Sequence, residues 1–305
     1  MPSRSMASSA PAPADVHALL GLACRAPSVH NSQPWGWRAA GDTIELYADQ
    51  SRLFTASDPD GRNLLISCGA ALHHLTLAAA AHGWSTTVDR LPDPGRPDLL
   101  ARTRLVPSTP SPTGARDLAA IAARVTDRRR FTSWPVAAGL LEDLAASASG
   151  AGVVVVPVVD LPGRHRTELL CARARDAQAA DPGLREEQRL WVDRGSDDDL
   201  LAGSDGVLVL GTDHDAPEDR LRAGEALSAL WLRATDEQLS VVPVSQVVEV
   251  RETRDALRHE VLDGSLHPQL VVRLAWQEIA RSTLPRTLRR PVRDVLASWG
   301  PTRIR

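Results

Sequence analysis

Apolar residues recur along the chain in two periods, and the switches between them lay out its elements. Val16, Leu19, Leu20, Leu22 and Ala23 have helical spacing, and Pro27 stops the helix. After a polar loop, Trp35 to Arg38 and Thr43 to Ala48 alternate as strands around the turn Ala40-Gly41-Asp42. Asp58-Pro59 reads as an N-cap and first-turn proline for a long apolar helix, Leu64 to Ala81, closed by Gly83. Short strands follow at Trp84 to Arg90 and Leu100 to Val106, and VPSTPSPTG reads as a linker.

Beyond the linker the pattern predicts helices over Ala115 to Arg124 and Val136 to Ser147. Val153 to Val159, interrupted by Pro157, suits a strand near a sheet edge. Polar helical sequence runs from Arg164 to Asp193. Strand Val207 to Gly211 then leads into a long helix, Pro217 to Leu239. A strand over Ser240 to Val250, a helix over Thr253 to Leu262 and a strand over Gln269 to Ala275 complete the pattern.

The two stretches repeat one another. Setting Gly69 against Gly224 also pairs Ala71 with Ala226, Leu72 with Leu227, Leu75 with Leu230, Leu77 with Leu232 and Ala79 with Ala234, and a strand follows each copy. Leucine and alanine are common enough for two helices to agree by chance, but the shared order of strand, long apolar helix and strand favours duplication. Homologous halves would pack their long helices together as the two subunits of an isologous dimer do.

Composition narrows the chemistry. With 305 residues and 43% hydrophobic content the chain can bury a large core. A net charge of -3, with charges interspersed, gives no reason to expect nucleic acid. All basic charge outside histidine is arginine, so neither Schiff-base chemistry nor a P-loop lysine is available. Cys24, Cys68 and Cys171 are odd in number and far apart, which fits a reducing cytoplasm better than a disulfide framework. Residues 1–14 read as a disordered lead without an apolar signal core, and no uninterrupted apolar run reaches the roughly 20 residues that span a bilayer. Adjacent His73 and His74 diverge by about 100 degrees on a helix and cannot chelate one ion together, so no metal is expected. Neither a GxSxG elbow nor a GxGxxG turn is present in its required context.

Three polar segments remain. RAPSVHNSQPWGW, Arg25 to Trp37, can present hydroxyls, amides and backbone N–H groups to a ligand, or can be a turn that ends a helix and opens a hairpin. RVTDRRRF, Arg124 to Phe131, sets four arginines near a helix end; they suit a phosphate or form a solvated charge run. TLRRPVRDVL places Arg289 and Arg290 beside Pro291, where a solvated tail is the alternative.

Together these segments resemble FMN-dependent nitroreductases. Ala26, Pro27, Ser28, Asn31, Gln33, Pro34 and Trp35 match the APSxxNxQPW loop that in that family reaches the flavin from the neighbouring subunit. The resemblance implies flavin contacts from Arg25, Pro27, Ser28, Val29, Asn31 and Gln33. It implies phosphate and ring contacts from Arg124, Thr126 and Arg128 or Arg129, where the family carries its arginine-serine-arginine segment. Leu239 to Gln246, LSVVPVSQ, is similar to the strand end that faces the flavin N5, which implicates Ser245 and Gln246. Arg289 and Arg290 match the C-terminal pair that closes on the phosphate. CGAALHHL and DPDGR in one half and AGEALSAL in the other look most like the tandem, Acg-like subgroup, and the resemblance covers most of residues 15–300.

The implied fold is α+β and nitroreductase-like, with antiparallel or mixed sheets flanked by helices. Its two fused halves, residues 15–110 and 111–305, would form an intrachain pseudo-dimer. The loop lies in the first half and the arginine and ring segments in the second. One non-covalent FMN per chain follows, because no arginine segment precedes Ala14 and no second PSxxN loop occurs around Ala145 to Gly152. The implied function is an oxidoreductase passing hydride from NAD(P)H to a small acceptor; the alternative is a protein that sequesters FMN. No side chain is implied as catalytic, and no nucleic acid or membrane as partner; the whole chain is expected to be monomeric or weakly associated. Two departures stand out: Arg130 occupies a position where the family carries proline, and Arg189 to Ser204 is shorter than the subgroup's flavin-covering insertion.

Overall fold

A computed structural model describes residues 10–126, 134–191, 206–276 and 287–297. In the first half, helix α1 (Pro13–Ala23) precedes the hairpin β1 (Trp35–Ala40) and β2 (Thr43–Ala48). Helix α2 (Arg62–Ala81), β3 (Trp84–Arg90) and β4 (Leu99–Pro107) follow. In the second, α3 (Gly114–Ala123) and α4 (Ala138–Ala148) lead to β5 (Val153–Pro157), α5 (Leu161–Ala180) and α6 (Pro182–Trp191). Then come β6 (Gly206–Thr212), α7 (Pro217–Asp236), β7 (Leu239–Val244), α8 (Gln246–Glu249), α9 (Arg251–Glu260), β8 (His267–Trp276) and α10 (Val292–Val295).

Each half builds a four-stranded antiparallel sheet, in order β1-β2-β4-β3 and β5-β6-β8-β7. These orders are one arrangement used twice, and each sheet has a register shift at the matching inner pair, β2 with β4 and β6 with β8. Helices α2 and α7 occupy the same place, each followed by the edge strand of its sheet.

Their crossing carries the symmetry of the molecule. A Cβ added to Gly69 would stand 1.9 Å from the Leu221 carbonyl oxygen, and one added to Gly224 would stand 2.0 Å from that of Ile66. Both contacts exchange residues 155 apart, the spacing of His73 and Ser228, which hydrogen-bond to each other at 2.9 Å. A residue meeting its own counterpart marks a two-fold axis, as in an isologous interface. The cores interlock by the same rule: Leu221 of α7 belongs to the first core, and Ile66 of α2 to the second. Helix α2 has the length and composition to cross a membrane, but its apolar surface is mostly buried against α7, α1 and its own sheet.

The halves differ in their outer layers. One face of the second sheet packs on α4 and α7 and the other on α5, α8 and α9, so β6 and β8 are buried nearly throughout. The first sheet is covered on one face, where Trp35 and Trp37 anchor the core. Residues 292–297 return to that first sheet. Val292 and Val295 enter its core, Leu296 bridges Trp37 in parallel, and the Ala297 N–H donates to the Trp37 carbonyl at 2.9 Å.

Three sequence expectations shift. Helix α2 starts at Arg62 behind a left-handed Gly61, so Pro59 is not in its first turn. Asp58 still caps it, because its carboxylate reaches over the turn to the N–H groups of Asn63 at 3.1 Å and Leu64 at 2.9 Å. The strand expected to reach Val250 ends at Val244, the last residue paired with β8, and Ser245 turns the chain into α8. The edge strand β5 ends at Pro157, where the ring removes a ladder donor, and leaves Val154 41% exposed.

Candidate functional site

The Pro27 stop and the strand starting at Trp35 leave a short loop whose backbone is unusual. His30, Asn31 and Gln33 all have positive φ, at 46°, 56° and 50°. Left-handed backbone outside glycine costs on the order of 1–3 kcal/mol per residue and persists where its surroundings over-determine it. Here the surroundings do so. The Gln33 N–H donates to Ser28 Oγ at 3.0 Å, and the Val29 N–H donates to Ser67 Oγ of α2 at 3.1 Å. The Arg52 guanidinium holds the Ser32 carbonyl at 2.8 Å.

The C-terminal segment locks onto this loop. Asn31 Nδ2 donates to the Leu288 carbonyl at 3.1 Å, and Asn31 Oδ1 accepts from Arg289 Nη1 at 2.9 Å. Gln33 Oε1 accepts the Arg290 N–H at 2.7 Å, and Arg290 Nη1 donates to the Gln33 carbonyl at 3.2 Å. Arg290 also pairs with Asp49 at 3.2 Å, so its charge is neutralised within the fold. Arg289 has no such partner among the described residues.

A three-arginine cluster results. Arg124, just past α3, is 7% exposed and lies 4.6 Å over the Trp231 ring of α7. Its Nη2 donates to the Arg25 carbonyl at 3.2 Å, and Arg289 Nη2 approaches the same oxygen at 3.5 Å. Arg25 itself donates to the Ala122 carbonyl at 3.3 Å. Among the described residues no carboxylate pairs with Arg25, Arg124 or Arg289, and the buried Nε and Nη1 of Arg124 and Nε of Arg289 have no acceptor. Burial, with Arg289 and Arg25 alongside, pulls the Arg124 guanidinium down to about 9; burial and Arg25 also lower Arg289. Convergent guanidinium donors without an internal counter-charge make a receptor for an anion with several oxygens.

Ser245 is tied to the loop through Glu249 and α2. Ser67 Oγ, which holds Val29, donates to the Asn63 carbonyl, and Asn63 Nδ2 donates to Glu249 Oε1 at 2.8 Å. Glu249 also accepts from Ser245 and from Gln178 Nε2 at 2.6 Å, and burial raises its carboxyl. The β7–α8 junction, α2 and the loop are thereby one hydrogen-bonded unit.

Of the residues singled out in the sequence, Arg25, Ser28, Val29, Asn31, Gln33, Arg124, Arg289 and Arg290 come together across the two halves. Pro27 ends the helix beside them, Thr126 follows Arg124, and Arg128 and Arg129 lie outside the described residues. Asn63, Ser67, Trp231 and Glu249 were not anticipated. The one available signal was Asn63 and Ser67, four apart on an otherwise apolar helix and therefore on one face.

No family model matches the chain. Whole-chain relatives are informative. "Putative NAD(P)H nitroreductase Rv3131" of Mycobacterium tuberculosis is 36% identical, over 92% of this chain and 90% of its own length. The chain belongs to the NAD(P)H nitroreductase family. "Putative NAD(P)H nitroreductase acg" of the same organism is 31% identical over 90% of this chain and 92% of its own. Among solved structures, a Bacteroides fragilis nitroreductase with bound FMN matches 56% of this chain and 94% of its own, at 14% identity and a TM-score of 0.45. Within this family the α+β fold with two antiparallel sheets flanked by helices is expected, and the present chain holds both halves in one polypeptide.

Proposed function

We propose that the chain is an FMN-dependent oxidoreductase of nitroreductase type that binds one flavin between its halves and takes hydride from NAD(P)H for a small acceptor. The observation that supports this most is the cluster of Arg25, Arg124 and Arg289, with which no carboxylate pairs among the described residues. A phosphate monoester carries close to two negative charges near neutral pH and three acceptor oxygens, which match the orphaned donors. In this reading the anion is the phosphate of FMN, the cofactor that the family resemblance implies.

In this reading Asn31 orients Arg289 toward the phosphate through its Oδ1, and Trp231 holds the Arg124 guanidinium in plane. The left-handed loop and the β7–α8 junction flank the ring, with Ser245 and Gln246 presenting backbone groups to its reactive edge. Glu249, Asn63 and Ser67 fix the spacing between those two walls. The flavin, when bound, supplies the hydride chemistry; the chain supplies position, charge and exclusion of water.

A second reading, flavin sequestration without turnover, is favoured by one contact. Glu187 of α6 accepts from the N–H groups of Ala56 at 3.1 Å and Ser57 at 2.9 Å, and from Ser57 Oγ at 2.7 Å, clamping the arm of the second half onto the first. The segment that follows lies outside the described residues. Anaerobic addition of NADPH or NADH to the FMN-loaded protein decides between the readings: bleaching of the flavin band within turnover times supports the reductase, and an unchanged band supports storage. Failure to bind FMN at all would sink both.

A further inference from the structure

We propose that a second cleft, of about 390 Å³ between the start of α2 and helix α9, binds a phosphate dianion through Arg254 and Arg258. The cleft is separate from the cluster of Arg25, Arg124 and Arg289, and only Glu249 belongs to both its wall and the hydrogen-bonded unit described above. Its size is within the range of small-ligand pockets, roughly 300–1,000 Å³.

Both signs of charge line the cleft, and the partners of each group decide what remains for a ligand. Asp215 is paired with Arg62 at 2.5 Å and with Arg220 at 3.2 Å. The oxygens of Asp58 hold two α2 N–H groups, and those of Glu249 accept from Asn63 and Gln178. Burial raises both carboxyls, Asp58 to about 6. Asp255 lies 3.9 Å from Arg251 at the exposed rim, where the exposed carboxylate of Asp60 is paired with no cation among the described residues.

The cations on α9 are less fully matched. Among the described residues, Arg254 side-chain atoms make one bond, from Nη1 to the Val248 carbonyl at 3.0 Å, and the buried Arg258 Nε has no acceptor. Neither is paired with a carboxylate among the described residues. They stand four residues apart on α9 and so share a face, with Arg62 behind them near enough to Arg254 to be depressed by its charge. Two guanidinium forks converging from one helix face suit a phosphate better than a carboxylate, which one fork saturates.

The phosphate could be free, or it could be the ribose 2′-phosphate of NADPH, and the latter source rests on the reductase reading. Its appeal is position: the single turn of α8 joins the proposed flavin edge at Ser245 to the cleft wall at Glu249.

Calorimetric titration of the full-length, FMN-loaded chain with inorganic phosphate, adenosine 2′,5′-bisphosphate and adenosine tests the proposal. Saturable binding of the bisphosphate, weakened at least about tenfold in R254Q/R258Q and absent for adenosine, is the expected result. Equal affinity for inorganic phosphate would assign the site to the free ion. A much weaker phosphate response would assign it to the nucleotide, and the NADPH over NADH preference in kcat/KM should then fall in the same variant. Because Arg254 also holds the α8 carbonyl, R258Q alone is titrated beside the double variant and flavin content is checked in each. Binding that is absent, or unchanged in both variants, overturns the proposal, whether or not the flavin can be reduced.

Discussion

Arg124 is held where no charge would choose to be: desolvated, stacked on Trp231, and beside two further cations. A buried cation lacking a counter-charge weakens the free protein, whereas an apolar side chain of similar length does not. Arg124→Met should therefore raise the melting temperature of flavin-free protein while raising the FMN dissociation constant about tenfold or more, the equivalent of one charge-assisted contact. Lower stability together with unchanged FMN affinity would make Arg124 a structural cation. His73 offers a test through pH. Burial drops its imidazole to about 4, so the folded chain refuses a proton that the unfolded chain accepts below its ordinary value of 6.5. The stability contributed by the neutral ring is complete above that value and is lost as pH falls toward 4. Urea unfolding between pH 7 and pH 4.5 should show this slope, and His73→Gln, which can keep a bond to Ser228, should make it shallower, leaving the part that buried His74 contributes.

Between elements, the crossing of α2 on α7 tolerates no side chain. Gly69→Ala and Gly224→Ala each drive a methyl into a carbonyl, and each should cost about 1–3 kcal/mol or more. The two substitutions act on one gap, so the double variant should lose less than the two losses added together. A fully additive cycle, read from denaturant midpoints, would mean that the helices relax independently. This crossing was legible in the sequence because both copies keep glycine at one register position within matching leucine and alanine rows. The end of β7 was not. Val247, Val248 and Val250 continue an apolar run that reads as strand, while the turn into α8 depends on Glu249 finding Asn63 and Gln178, partners distant in sequence. The candidate site was legible where its residues are contiguous, from Arg25 to Gln33. Arg289 and Arg290 were picked out too, but not their division of work, because they look alike side by side: one points toward the arginine cluster and the other pairs with Asp49.

Across the whole molecule, residues 292–297 return to the half that holds α1. They fill the first core and lengthen its β1 edge, and this docking sets the position of Leu288 and Arg289 against the loop. A chain stopped after Arg290 keeps every arginine of the site but loses the burial of Val292 and Val295, a contribution of roughly 1.5–3 kcal/mol each. It should melt earlier and bind FMN more weakly, and normal FMN affinity would show that the arginines position themselves.

The pairing of His73 with Ser228 has a further meaning. In an assembly of two identical subunits a substitution enters twice, so a residue on the axis must suit its own image, and both copies of a site change together. Here a histidine faces a serine at that place. Once a single gene encodes both sides, each inherited change is tried on one side only. One half can then keep the loop while the other keeps the arginines, each free to lose what its counterpart retains.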